Sequence, residues 1–209
     1  MVVPRFSNPF YLQKEILIWD VFKFNAIINP MKALGEIGIL KGAKFIFYSL
    51  FSSFLNSTLI FPFRSYLLRL AGAQIGRNSV IHKSSYINHY QGGFRNLYIG
   101  NECFIGEDTS LDLYGKIVLG DQVTISHRVI ILTHTNVGYK NHPLQKFFPK
   151  TVKNVELGKG CFIGAGSIIL PGVTVGSNSM IGAGSVVTKD IPSQVVVAGV
   201  PAKIIKRLV

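Results

Sequence analysis

The chain carries five histidines, His82, His89, His127, His134 and His142, and one of them interrupts a pattern. From Leu119 to Asn136 the sequence reads LGDQVT ISHRVI ILTHTN, three six-residue units that each open on an aliphatic residue. The third unit sets histidine and threonine where the pattern should merely repeat. A histidine of near-neutral pKa held in place can draw the proton from a hydroxyl as that oxygen attacks, which is the work of a general base. His134 is the first choice for that role because it lies where a unit ends and a loop begins, on a rim and not in a core. His127, in ISHR, projects outward from the repeat and is its rival. His142 lies within the loop, and His82 and His89 lie earlier, at positions suited to a surface or an acceptor pocket. An imidazole base needs an orienting partner for its other ring nitrogen, and the carboxylates of the preceding repeat are Glu107, Asp108 and Asp112. Asp108 and Asp112 are equally able to hold substrate hydroxyls, so both roles stay open.

The period of six begins near Ile75 and decides the architecture. Units recur as IGRNSV, IHKSSY, IGNECF, IGEDTS, LGDQVT and ISHRVI, then as LGKGCF, IGAGSI, ILPGVT, VGSNSM, IGAGSV and VTKDIP. Each unit is a strand too short to bury its aliphatic residue alone, so it must stack on the next, and a sustained fixed period means a solenoid. An aliphatic at every sixth position can point inward from each face of a three-sided coil, eighteen residues to the turn. The expected fold is therefore mainly β, a parallel β-helix over 72–209 with an N-terminal helical, apolar extension over 1–71. Two insertions leave the coil, 88–96 (NHYQGGFRN) and 133–154 (THTNVGYKNHPLQKFFPKTVKN). Loops on a rigid scaffold are where binding usually resides, and Tyr139, Lys140, Lys146, Phe147, Phe148 and Lys150 lie in the second.

The extension is of another kind. Tyr11 to Asn25 suits one amphipathic helix. Phe45 to Phe63 is uncharged, close to the roughly 20 apolar residues that span a bilayer, but broken by serines, Asn56, Thr58 and Pro62. Lys41, Lys44, Arg64 and Arg69 flank it. Three readings stand: peripheral membrane association through 41–70, a helical extension packed on its own oligomer, or a transmembrane span. The opening residues lack the n-region, apolar run and cleavage site of a secretory signal, so the expected location is cytoplasmic, with peripheral contact to the inner face of the cell membrane under the first reading.

With 48% hydrophobic and 15% charged residues, disorder is excluded, and a net charge of +12 calls for a polyanionic partner. Nucleic acid is not expected, since no helix-turn-helix, zinc-ligand set or RNA-binding aromatic motif accompanies the charge. Cys103 and Cys161 both precede Phe-Ile-Gly in one repeat phase, which predicts two small buried side chains.

The run LGKGCFIGAGSIILPGVTVGSNSMIGAGSVVTKDIPSQVVVAGVPAKIIKR closely resembles the ending of the hexapeptide-repeat acyltransferases, and the likeness covers about Leu70 to Leu208. Within that family the chain most resembles sugar and polysaccharide O-acetyltransferases of the maltose/galactoside and capsule/colanic acid type, which often carry a phrase like Leu68–Ala73 (LRLAGA) before the coil. The resemblance implies a left-handed β-helix, a homotrimer, and transfer of acetyl from acetyl-CoA to a sugar hydroxyl in surface polysaccharide (capsule, O-antigen or exopolysaccharide) synthesis. The implied mechanism is a histidine base and direct transfer in a ternary complex, with a sugar or lipid-linked saccharide as acceptor. It also implies that a loop like 133–154 reaches a neighbouring subunit and walls the active site, where Tyr139 and the basic and aromatic residues around it can touch either acceptor sugar or cofactor. His142, with Asp108 and Asp112, is a further candidate for holding substrate. The family's Thr-x-x-His phrase puts Asn136 in the base's register, so Asn136 joins His134 and His127 among the catalytic candidates.

Coenzyme A needs an extended groove of small residues with cations at its end. Gly164, Ala165, Gly166 and Ala183 offer the first, and the resemblance assigns Lys189 and the basic residues after Pro201-Ala202 (Lys203, Lys206 and Arg207) to the phosphates. Phe162 stands where many relatives have tryptophan. No metal is expected: a zinc lyase resembling the γ-class carbonic anhydrases needs a close His-x4-His pair, and 127, 134 and 142 do not supply it. Serine and xenobiotic acetyltransferases of the same fold are the alternatives among enzymes, and a membrane-associated scaffold without catalysis is the alternative among other proteins.

Overall fold

The computed structural model describes residues 39–57, 61–138 and 141–208. Two compact units, 1–44 and 45–209, divide the chain, and of the first only residues 39–44 are described. The expected helix over Tyr11–Asn25 lies outside the described residues. In the second unit the helical residues from Phe45 onward share one core with the coils, since Leu55 and Leu68 are fully buried among the coil aliphatics.

The coils wind through three parallel sheets. The first face carries Gln74–Ile75, Leu97–Ile99, Ile117–Leu119, Val155–Leu157 and Thr174–Val175. The second carries Val80–Ile81, Phe104–Ile105, Thr124–Ile125, Phe162–Ile163, Met180–Ile181 and Val195–Ala198, and Lys203–Arg207 closes it as an antiparallel edge. The third carries Ser84–Ile87, Thr109–Asp112, Ile130–Ile131, Ile168–Ile169 and Val186–Val187. Inward residues pair in register from coil to coil. On the second face Ile81, Ile105, Ile125, Ile163, Ile181 and Val197 form a continuous column with no exposed surface. Burying each such side chain stabilises the fold by roughly 1.5–3 kcal/mol, which no two-residue strand could secure alone. Cys103 and Cys161 are buried as their repeat phase predicts. Burial pushes both thiols up, and each Sγ meets a carbonyl of a neighbouring coil, Gly120 and Gly176.

The eighteen-residue turn appears where Ile163 pairs with Ile181 and Ile169 with Val187. Earlier turns are longer, and the excess falls each time at the corner between the third face and the first. Residues 88–96 leave there in the first coil and 133–154 in the third. In the second coil Leu111 is followed on the first face by Leu119, two residues later than the period requires.

Two helices precede the coils, α1 (Ile39–Ser57) and α2 (Phe61–Leu70). Tyr48 and Phe51 of α1 pack edge-on or tilted against Phe94 at 5.9 and 5.6 Å. Arg64 of α2 is buried and donates to the carbonyls of Leu55 and Ile81, tying both helices to the first coil. Among the described residues no helix is long and apolar enough to cross a membrane; the expected stretch 45–63 includes 58–60, which lie outside the described residues.

Candidate active site

The three long corners stack on one another, and their residues converge on Asp112. This aspartate ends a third-face strand with its side chain wholly excluded from solvent. One carboxylate oxygen receives the backbone N–H groups of Thr133 (2.9 Å) and His134 (3.1 Å) and lies 2.5 Å from His134 Nδ1. The other receives Asn88 Nδ2 (2.9 Å), from the first insertion, and the N–H of Tyr114 (3.2 Å). Burial acts to raise the Asp112 pKa, but the hydrogen bonds from His134, Asn88, Thr133 and Tyr114 outweigh it and hold the carboxyl below its ordinary value. Asp112 is thus an anion with both oxygens engaged by the protein. With the side chain excluded from solvent and both oxygens occupied by protein donors, the geometry fits an orienting role toward an imidazole.

His134 opens a short antiparallel ladder in which it pairs with Val152 and Thr135 with Thr151, so the loop closes at its root. Thr133 reinforces that root: its hydroxyl donates to the Asp112 carbonyl (2.7 Å) and accepts from the Gly115 N–H (2.8 Å). Because Nδ1 faces a carboxylate, the neutral ring carries its proton there and Nε2 keeps its lone pair. The side chain is 22% exposed, and among the described residues Nε2 makes no hydrogen bond. Tyr114 stacks on the imidazole at 5.2 Å with planes 21° apart. Lys150, returning from the loop, donates to the Tyr114 hydroxyl and lies 4.2 Å from the ring centroid.

The other histidines are arranged differently. His127 Nδ1 accepts the N–H of Glu107 at 3.1 Å, so its neutral ring carries the proton on Nε2 and presents a donor where a base needs a lone pair. It lines a concavity with Glu107, Asp108, Arg128, Ala165 and Gly166 at the corner between the second and third faces. Asp108 therefore stands at the opposite end of its strand from Asp112, about 13 Å away at strand rise, and does not share the His134 site within one chain. His142 accepts the Leu144 N–H (3.2 Å) through Nδ1 and caps the short helix Pro143–Lys146. Asn136 is exposed and accepts the Gly138 N–H (3.2 Å), so it does not take part in the Asp112 pair. His89 is buried beside Tyr48 and Phe94. Tyr139 lies outside the described residues.

Ala165, Gly166, Ala183 and Gly184 form a strip of small exposed residues at the His127 corner, and a Cβ built on Gly166 or Gly184 would meet nothing within 4 Å. Gly164 does not belong to it. It is buried, and a Cβ there would come within 2.5 Å of the Ala183 nitrogen, so this glycine serves the close stacking of coils and not a ligand groove. Lys203 and Lys206 pair with Ala198 and Val196 on the edge strand and Arg207 with Val195, all exposed, whereas exposed Lys189 lies at the far end of the third-face strand Val186–Val187. The described residues hold no group of three or more His, Cys, Asp or Glu able to bind a metal ion.

Sequence reasoning missed Tyr114 and Asn88. The available signal was the two-residue excess after Leu111, in LDLYGK, which falls at the same corner as both recognised insertions.

Residues 154–189 match the family model described as bacterial transferase hexapeptide (six repeats). The chain is 33% identical over 151 residues to a protein of Escherichia coli (strain K12) provisionally named a colanic acid biosynthesis acetyltransferase, covering 72% of this chain and 78% of that one. It is 32% identical over 149 residues to galactoside O-acetyltransferase of the same organism, covering 69% and 68%. Among solved structures, a maltose O-acetyltransferase from Clostridium difficile 630 is similar with a TM-score of 0.68 at 29% identity, over 82% of this chain and 90% of that one. A galactoside acetyltransferase in complex with coenzyme A is similar with a TM-score of 0.64 at 27% identity, over 81% and 82%.

Proposed function

The chain belongs to the hexapeptide-repeat acetyltransferases, and from that premise we propose that it moves the acetyl group of acetyl-CoA to a sugar hydroxyl in surface polysaccharide synthesis, with His134 as the general base. The observation that carries the reading is the buried Asp112 carboxylate 2.5 Å from His134 Nδ1. It fixes the tautomer, aims Nε2 outward and stabilises the imidazolium that forms when the base takes its proton. In the proposed step Nε2 removes the acceptor proton as the oxygen attacks the thioester carbonyl. The tetrahedral species then expels the CoA thiolate, which recovers the proton from His134.

The donor's extended arm fits the strip Ala165, Gly166, Ala183 and Gly184, with His127 Nε2–H as a donor beside it and Lys203 at its end. Lys189, Lys206 and Arg207 remain proposed phosphate contacts. Strip and base lie at different corners of the coil, which supports a homotrimer in which the His134 corner of one subunit faces the strip of its neighbour. The relatives named for galactoside and colanic acid acetylation support a saccharide acceptor.

The test is a screen of sugars and lipid-linked sugars with acetyl-CoA, read by product mass, on wild type, His134→Ala and His127→Ala. A mass gain of one acetyl group on a sugar, lost by a factor on the order of 10²–10⁴ in His134→Ala, is expected. Wild-type turnover in His134→Ala together with its abolition in His127→Ala would move the base to His127. Thioester consumption without any acetylated sugar would remove the acceptor assignment.

A further inference from the structure

The helix α1 is apolar on two sides. Leu55, Tyr48 and Phe51 turn inward, while Ile46, Phe47, Leu50 and Phe54 are 53–67% exposed on the side away from the coils. Phe63 and Leu70 of α2 are exposed as well, at 44% and 67%. A helix with apolar side chains on both its inner and its outer side leaves one set of them without cover in a single chain. An exposed patch of this kind marks an interaction surface.

The charges around the patch identify what covers it. Between Glu36 and Glu102 the sequence holds no acidic residue, but it holds Lys41, Lys44, Arg64, Arg69, Arg77, Lys83 and Arg95. In the second unit Arg69, Arg77, Lys83 and Arg95 are exposed. Each is tied to the helices or to the coil beneath them. Arg69 lies on α2 itself and donates to the carbonyls of Ile75 and Gly76, directly before Arg77. Arg95 lies beside Gly72, at the end of α2. Lys83 precedes Ser84, whose N–H donates to Asn56 of α1. The result is an aromatic and aliphatic face on helices that carry no carboxylate, bordered by cations; the nearest acids, Glu102 and Asp108, follow one coil further on, behind Arg77 and Lys83.

We propose that this face is a peripheral docking surface for an anionic lipid bilayer, with the α1 and α2 side chains entering the headgroup boundary and the four cations meeting lipid phosphates. A second copy laid face to face on the patch would set Arg69 and Arg95 against like charges, and neither helix offers an acid to neutralise them, which argues against self-association there. An anionic surface supplies the missing counter-charge and solvates the apolar stripe at once. Docked this way, the enzyme would hold its site beside acceptors carried on membrane lipid. The docking itself does not depend on which sugar is acetylated.

The experiment is flotation of the full chain with vesicles of equal parts phosphatidylcholine and phosphatidylglycerol, and with phosphatidylcholine alone. Binding is expected to the anionic vesicles only and to weaken with salt. Leu50→Glu with Phe54→Glu should abolish it. Arg77→Gln, Lys83→Gln and Arg95→Gln together should weaken it on the order of 100-fold, at roughly fivefold per cation near the surface. Thermal melting and acetyl transfer to a soluble sugar report that each variant is folded. Equal binding to neutral and anionic vesicles, no flotation at all, or undiminished flotation of the glutamate variant overturns the proposal. A fall in molar mass by light scattering in the glutamate variant overturns it too, and assigns the face to contact between subunits.

Discussion

Replacing Asp112 by asparagine changes the site by one charge and almost no volume, which makes it the most informative single substitution. With its amide oxygen toward His134 the new side chain still accepts the N–H groups of Thr133 and His134, which now meet the carboxylate. Its NH2 group then points at the Tyr114 N–H and at Asn88. Asn88 can rotate its own amide to present oxygen, but the Tyr114 N–H is left facing a donor, a loss of about 1–3 kcal/mol in stability. The larger loss is electrostatic. An imidazolium and a carboxylate about 4 Å apart attract by about 4 kcal/mol at an effective permittivity near 20, and this attraction is made only once the proton has moved. Removing it should lower kcat about 10³-fold. The acetyl-CoA KM should not change, because no part of the donor strip is touched.

The assay is the initial rate of thiol release from acetyl-CoA at saturating acceptor, with thermal melts on the same preparations. Turnover within about tenfold of wild type, in a variant that still melts cooperatively, would refute the assignment of Asp112 and His134 as a working pair. The melts carry an independent check. The folded state holds the Asp112 pKa below its ordinary value, so the wild-type chain loses this stabilisation as pH falls through the carboxylate range, below about 4. Asp112→Asn should flatten that acid limb.

Tyr114→Leu removes the ring stacked on His134 but keeps the backbone donor to Asp112, so kcat should fall on the order of tenfold through a less well-held imidazole, and Tyr114→Phe should restore it unless the Lys150 contact is needed. Gly164→Ala should cost more than about 2 kcal/mol in denaturant unfolding, because its Cβ meets backbone at 2.5 Å, whereas Gly166→Ala meets only the strain of φ +68°, roughly 1–2 kcal/mol, and should instead raise the acetyl-CoA KM. Burial holds the His89 pKa below its usual value against two backbone hydrogen bonds, so the unfolded chain binds a proton that the folded one resists; stability should decline as pH drops below about 6.5, and His89→Phe should flatten that slope in urea midpoints.

The coil was legible because its signal is local. Each inward aliphatic announces itself six residues after the last, and the column from Ile81 to Val197 needs no distant information to be foreseen. Cys103 and Cys161 were legible for the same reason. His134 could be found as a break in that period. Its partner could not be chosen, because Asp108 and Asp112 lie on one strand and are equally acidic on paper. Only the stacking of coils shows that one sits at the His127 corner and the other under His134. The ground for proposing His134 over His127 as base is a single backbone N–H, that of Glu107, which arrives at His127 Nδ1 from the neighbouring coil. No sequence pattern records that contact.

Those contacts follow one rule, which also explains why the site is where it is. A coil that keeps its period offers at every corner a tight turn with no room for a buried carboxylate. Gly100 meets this limit, since a Cβ there would come within 2.6 Å of the Asp121 nitrogen in the next coil. A polar pair can be sheltered only where successive turns all depart from the period at one corner. The first departure brings Asn88, the second Asp112 with Tyr114, and the third Thr133 and His134, with Lys150 returning on the same loop. Each coil supplies one part of the constellation, and the rigid columns beneath hold the parts in register. Shortening the third departure to the strict period should therefore disable the pair while leaving the solenoid folded, because residues 134–152 add nothing to the buried columns, whereas the first departure carries the buried Phe94 on which α1 packs.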